Sequence, residues 1–356
     1  MTYVNPSAKV FDHLDRLEAW RRGARPVPVS LEVDLTARCS LGCQSCHQAH
    51  THSRGPWAQR LRVLPQGFES VGDVADTATT LFWLPQAREA GVEAIVWTGG
   101  GEPTLHPEWQ TIVDRAHQLG FKQGMYTLGG HLDAASGRHL AERATWVVVS
   151  LDCADAATYA REKGVPPARF GDACRGIQSL VGHGAVVGVS FLLHAGNWRE
   201  APRMLDLARS LGATYATFRP TIEVSQQTPG VPQGDRSWAI AAQPLLVDLA
   251  GAPDVECDPA RFIEWATWTG HGYRTCYGIR LNATITPDSR MWVCVNRRGL
   301  ADSCLGDLRV ESFMAAWARH PGHWTVDAQC RAMCRLHPVN QSLSAVYTER
   351  QHREFI

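Results

Sequence analysis

The chain has 356 residues, 44% hydrophobic and 20% charged, with 35 basic and 35 acidic side chains and so no formal net charge. Those totals fit one large domain with an appendage, or two domains, and argue against a dedicated nucleic-acid binder. There is no apolar run of about 18 residues to span a bilayer and no signal-peptide core, so a cytoplasmic protein is expected, in which eleven cysteines point to metal or catalysis rather than disulfides.

Residues 8–23 place Val10, Phe11, Leu14, Leu17 and Trp20 near helical spacing. The β-rich run "PVPVSLEVDLT" follows and ends just before "ARCSLGCQSCHQAHTHSRG". There Cys39, Cys43 and Cys46 stand in C-x3-C-x2-C spacing, with His47, His50 and His52 close behind. Three thiolates on a loop suit an iron–sulfur cluster, and the same set with a histidine suits zinc; spacing alone favours neither strongly. A helical pattern over 72–90 leads to the buried strand "VEAIVWTGGGEP", which runs into Gly99, Gly100, Gly101 and Glu102. The runs "FKQGMYTLGG", "WVVVSLD", "VVGVSFLLHAG" and "TYATFRPTI" are further strands, with helices predicted at 107–119, 132–143, 168–182 and 198–211.

Six near-continuous apolar strands alternating with helices predict an α/β fold with a parallel sheet. The expected architecture is a partial (β/α)6 TIM-like barrel; a flat doubly wound sheet is the competitor. In either, ligands bind at the carboxyl ends of the strands, so the three cysteines and the glycine turn share one edge. Beyond the turn-rich "SQQTPGVPQGDRS" a helix is predicted at 236–250, and then cysteines return. The expected divisions are an N-terminal helical segment (1–28), the barrel (29–225), a linker and helix (226–255) and a small cysteine-rich extension (256–356).

The triplet after the first strand together with "GGE-P" after the second resembles the radical S-adenosylmethionine (SAM) superfamily, over roughly residues 29–222. The resemblance implies a 4Fe–4S cluster on Cys39, Cys43 and Cys46, with SAM on the fourth iron. It places Gly100, Gly101 and Glu102 at the methionyl amino group. From "VVVSLDCADAATYAREKG" it places Ser150 near the ribose or carboxylate and Arg161 at the carboxylate, where a guanidinium binds bidentately. Ser45 stands where the family often has an aromatic residue, and Thr127-Leu128-Gly129 where it often has a Thr-Asn-Gly-like turn.

Cys276 and Cys294 flank a predicted hairpin, "RLNATITPDSRMWVC", and Cys330 and Cys334 form a C-x3-C pair. With "CLGDLRVESFMAAW", these residues resemble SPASM and twitch extensions, which implies one auxiliary 4Fe–4S cluster on the four cysteines. Zinc is the alternative there, with Cys304 or His337 as substitute ligands.

Strand ends supply the substrate-facing candidates Tyr126, Asp152, His194, Asn197 and Arg219, one of which would move a proton. Cys153 is a candidate hydrogen donor, although such a residue is more often a small buried hydrophobe. Trp57, Trp265, Trp268 and Trp292 are candidates to wall a pocket, with packing the commoner role. The resemblance implies a radical SAM oxidoreductase or epimerase with an electron donor such as flavodoxin or ferredoxin. The short segment ahead of the first strand favours a small-molecule substrate (sugar, aminocyclitol or nucleoside-like). Peptide modification is the runner-up reading, and a zinc-binding interaction module is the non-enzymatic alternative.

Overall fold

The computed structural model describes residues 6–43, 45–46, 48–56, 64–222 and 234–347. His47, Trp57 and most of the turn-rich stretch from 225 onward lie outside the described residues.

Strands β1 (Ser30–Asp34), β2 (Ala94–Thr98), β3 (Lys122–Thr127), β4 (Trp146–Ser150), β5 (Val187–Leu193), β6 (Tyr215–Pro220) and β7 (Val255–Cys257) pair in parallel in chain order. Beyond the short β8 (Thr275–Cys276), β9 (Asn282–Ile285) pairs in parallel with the free edge of β1, Ser30 opposite Asn282. The antiparallel β10 (Arg290–Trp292) and β11 (Cys304–Asp307) complete a ten-stranded sheet, while β8 pairs with β12 (Trp324–Thr325). The barrel sheet therefore runs on into the cysteine-rich region, and the count of six strands falls short of it.

Strand periodicity separates the two faces. Leu31, Val33, Ile95, Trp97, Met125, Val147, Val149, Val189, Phe191, Ala216 and Phe218 are buried in one core with helix residues such as Leu84, Ile112, Ile177 and Met204. Each large side chain buried there contributes roughly 1.5–3 kcal/mol. The other face carries Glu32, Asp34, Tyr126, Ser150, Ser190, Thr217, Arg219 and Thr284. A doubly wound sheet, with helices on both faces, would not leave this face so polar. The sheet instead curves around it: burial pushes the Tyr126 hydroxyl on β3 up, and the Arg219 guanidinium on β6, three strands away in the sheet order, draws it below its ordinary value with help from Arg335. The floor of the lumen is filled by Trp146 and Tyr215, whose rings lie where a Cβ on Gly124 or Gly188 would be (2.1 and 2.5 Å).

Local chemistry explains the boundaries. Asp133 and Ser136 form a reciprocal capping box that starts the helix Ala134–Arg143. Asp76 accepts from the Thr79 N–H at 2.7 Å, so the helix predicted from 72 begins at Thr77. The helix predicted over 236–250 divides into Ser237–Ala241 and Gln243–Ala250, because Pro244 has no N–H to continue the ladder. The predicted hairpin turn is present, with Ser289 at φ 60°, where glycine is the usual occupant.

Candidate active site

The cysteine loop leaves β1 and is held from three sides. The Cys39 N–H donates to the Arg54 carbonyl at 3.2 Å, and the Gly42 N–H to the Lys163 carbonyl at 2.7 Å. Arg38 forks onto Asp73, holding that carboxyl down at about 2, with help from Ser53 against some burial. A Cβ on Gly55 would lie 1.8 Å from the Cys39 carbonyl oxygen, and φ there is +105°, so both space and conformation call for glycine.

The glycine turn packs against the same loop. Gly101 and Glu102 donate their N–H groups to the Thr36 and Arg38 carbonyls at 3.1 and 2.8 Å. A Cβ on Gly100 would meet the Thr51 hydroxyl at 2.2 Å, and one on Gly101 the Arg38 carbonyl oxygen at 2.1 Å. The Glu102 carboxylate is buried and fully engaged. Oε1 accepts from the Thr104 N–H and hydroxyl and from the Thr127 hydroxyl; Oε2 accepts from the Leu128 N–H at 2.7 Å.

Burial pushes the thiols of Cys39, Cys43 and Cys46 upward, Cys46 to about 12, and neighbouring thiols of the set raise Cys39 and Cys46 further. Free thiolates are disfavoured there, whereas iron ligation deprotonates a thiol outright. Among the described residues no three His, Cys, Asp or Glu side chains form a group that could hold one metal ion. Three buried, mutually sensed thiols beside a close-packed glycine turn fit a multi-iron cluster.

Past β4, Ser150 is half-buried and Asp152 sits at φ 63°. Asp152 Oδ1 accepts from the Leu192 N–H at 2.8 Å, and Oδ2 pairs with the Lys163 ammonium. Lys163, 3% exposed, also lowers the Cys43 thiol against the stronger effect of burial. Asp152, Lys163, Ser45, Glu162, His194 and Asn197 line one small cleft. The structure thus gathers three sequence candidates and adds Lys163 and Glu162, which the sequence reading missed. Nothing in the sequence distinguishes Lys163 from an ordinary lysine in a helix's last turn. Arg161 is mostly exposed beside Glu162 (3.3 Å), and Cys153 is fully buried in the main core, the packing role.

The second thiol set gathers Cys276, Cys294, Cys330 and Cys334. Burial pushes Cys294 up to about 11 and Cys334 to about 12, and in each case thiols of the same set add to the rise. Asn340 Nδ2 donates to the Cys276 sulfur at 3.1 Å. Cys304 senses Arg290, Asp288 and Glu69 instead, and both His337 ring nitrogens are engaged, by Glu264 at 2.6 Å and Tyr273 at 3.1 Å. Neither joins the four. Arg331 links the two sets: burial pushes it down to about 10, Arg298 lowers it further, and Cys46, Cys294 and Cys334 act to raise it. The remaining tryptophans, Trp265, Trp268 and Trp292, are buried.

A curved parallel sheet with a three-thiol loop and a glycine turn at its carboxyl edge defines a metal-cluster enzyme of the partial-barrel class. Residues 33–208 match the family model of the radical SAM superfamily, and the chain belongs to that superfamily, which implies a 4Fe–4S cluster and SAM. It is 31% identical over 188 residues to a PqqA peptide cyclase of Streptomyces rochei, covering 52% of this chain and 46% of that one. With the PqqA peptide cyclase of Methylobacterium sp. (strain 4-46) it shares 30% over 251 residues, 64% of this chain and 59% of that one. The chain spans about half the length of most curated relatives it matches. In fold it resembles Streptococcus suis SuiB bound to S-adenosylmethionine, with TM-score 0.64 at 14% identity over 90% of this chain and 72% of that one. It also resembles anSMEcpe with bound AdoMet, with TM-score 0.58 at 12% identity over 82% and 80%. Among the described residues no helix is long and apolar enough to cross a membrane.

The expectation of a small-molecule substrate is corrected by these relatives, which are peptide cyclases. It rested on the length ahead of the first strand, and that length carries no information about what the lumen binds.

Proposed function

We propose that this protein is a peptide-modifying radical SAM enzyme that acts oxidatively. Its similarity to the PqqA peptide cyclases carries this reading. We assign residues 29–225 as the catalytic barrel and 256–356 as an extension holding one auxiliary 4Fe–4S cluster on Cys276, Cys294, Cys330 and Cys334. An electron donor of the flavodoxin or ferredoxin type would supply reducing equivalents. With both cofactors bound, one-electron cleavage of SAM supplies a 5′-deoxyadenosyl radical that abstracts a substrate hydrogen.

The chain's own residues bind and orient. Cys39, Cys43 and Cys46 hold the first cluster. Gly100 and Gly101 let backbone approach the methionyl amino group, and Glu102 fixes that turn to the end of β3. Ser150 and Arg161 are assigned to the ribose and carboxylate. Asp152 acts with Lys163 as a positioning pair, since both of its oxygens are engaged.

The test is anaerobic incubation of the reconstituted protein with SAM, reductant and candidate precursor peptides. A product lighter by two hydrogens, formed together with 5′-deoxyadenosine, supports oxidative peptide modification. An unchanged product mass with an inverted stereocentre assigns epimerisation instead. Absence of any peptide product, with turnover of a small molecule, overturns the reading.

A further inference from the structure

One wall of the lumen is rich in buried acceptors. Glu32 and Asp34 rise from β1 on the lumen face and are each 1% exposed. Beside them on β9, Thr284 stands opposite Glu32 in the parallel register, and Asn282 stands two residues earlier on the same face. Asp34 lies 2.6 Å from Arg298, and Glu32 2.5 Å from Arg335. The two pairs differ. The Arg298 side chain is 2% exposed and buried in the wall, whereas that of Arg335 is 43% exposed, and Glu32 is its one ion pair among the described residues.

A second observation points to an occupant. Both carboxylate oxygens of Glu32, the Thr284 hydroxyl and the Asn282 side-chain oxygen are buried without an aligned hydrogen bond among the described residues. Thr284 is 0% exposed and Asn282 9%. The oxygens of Asp34 and Nε and Nη1 of Arg298 are unaligned too, but those two groups offset one another. Buried polar groups are ordinarily satisfied, and each of the remaining atoms can accept, so the missing partner is a donor. Its charge follows from Glu32. A buried carboxylate that loses its cation is strongly disfavoured, so a group that takes the place of Arg335 must itself be positive. An ammonium carries three donors and no acceptor, which matches the two Glu32 oxygens and the Thr284 hydroxyl.

We propose that Glu32, with Thr284 beside it, is the specificity residue that takes the ammonium of a lysine side chain of the substrate peptide, and that Arg335 is a stand-in cation which this lysine displaces toward solvent. The Arg335 side chain already reaches water, so it stays solvated when it leaves. The proposal rests on the peptide-modifying reading and sharpens it.

The experiment pans a random twelve-residue peptide display library against reconstituted holoenzyme with SAM bound, using wild type, Glu32→Gln and Arg335→Ala. Iron content and SAM affinity are measured for each. Wild type is expected to enrich peptides with Lys at a fixed position. A synthetic pair differing only by Lys or Nε-acetyl-lysine there should differ in affinity on the order of tenfold or more. Glu32→Gln, which keeps the shape of the side chain and leaves Arg335 solvated, should lose that preference at unchanged iron content. Arg335→Ala should bind the Lys peptide on the order of tenfold tighter than wild type, because the competing guanidinium is gone; loss of a merely structural ion pair would weaken binding or leave it unchanged. Enriched peptides with no lysine preference, or a preference unaltered in Glu32→Gln, overturn the proposal while leaving the peptide reading intact, and so does an Arg335→Ala variant that binds the Lys peptide no tighter. SAM affinity falling in Glu32→Gln assigns the carboxylate to SAM and also overturns it. Failure to enrich any peptide counts against the peptide reading itself.

Discussion

The Thr127 hydroxyl donates to Glu102 Oε1 at 2.7 Å, so the turn after β2 is fastened to the end of β3. The Leu128 N–H donates to the other oxygen at 2.7 Å. Glu102→Gln turns one acceptor into a donor, which then faces an N–H or a hydroxyl. Hydrogen bonds to a charged group contribute about 1.5–3 kcal/mol. SAM affinity is expected to drop roughly tenfold or more, with iron content unchanged; calorimetric titration of the reconstituted protein checks this.

The buried Asp152–Lys163 pair gives a second expectation. Lys163→Met leaves Asp152 without its cation at 8% exposure, and breaking such a pair from one side costs about 3–5 kcal/mol. The melting temperature should fall by roughly 5 °C. Adding Asp152→Asn should recover part of the loss, because the uncompensated charge is then gone.

His320 provides a pH signature away from both thiol sets. Its Nδ1 accepts from the Gly322 N–H at 3.0 Å and its Nε2 donates to the Ile279 carbonyl at 3.1 Å, which fixes the neutral ring. Burial lowers its value to about 4. Because the folded value lies below the unfolded one, protonation favours the unfolded chain. This contribution is fully present above about pH 6.5 and is lost as pH falls toward 4. Between pH 7 and 5 it amounts to about 2 kcal/mol, seen in urea unfolding and absent from a His320→Gln variant.

The two thiol sets separate by iron counting. The wild-type chain should bind about eight irons, four per cluster. Cys334→Ala should bind about four and still cleave SAM reductively in the absence of peptide. A variant that kept all its iron would remove the auxiliary assignment.

Much of this was legible locally. Strands β1 to β6 announce themselves as apolar runs, and Cys39, Cys43, Cys46 and the glycine turn combine spacing with position at a strand end. What stayed hidden depends on distance in sequence. Asn282 pairs with Ser30 across 252 residues, and Arg298 and Arg335 reach Asp34 and Glu32 from the far end of the chain. No local period encodes such contacts. Lys163 illustrates the limit: its helix position reads as a solvated charge, and only the approach of Asp152 and the Gly42 loop buries it. Cys153 shows the converse: its place after a strand end made it a candidate hydrogen donor, with packing the commoner role, and the structure buries it in the main core.

Reductive SAM cleavage by anaerobically reconstituted wild type and Cys43→Ala tests the central assignment most directly. Wild type should form 5′-deoxyadenosine, and the variant, lacking one of the three thiolates, should form none while keeping about four irons on the second set. Continued 5′-deoxyadenosine formation by Cys43→Ala would contradict the assignment of Cys39, Cys43 and Cys46 as the seat of the SAM-binding cluster.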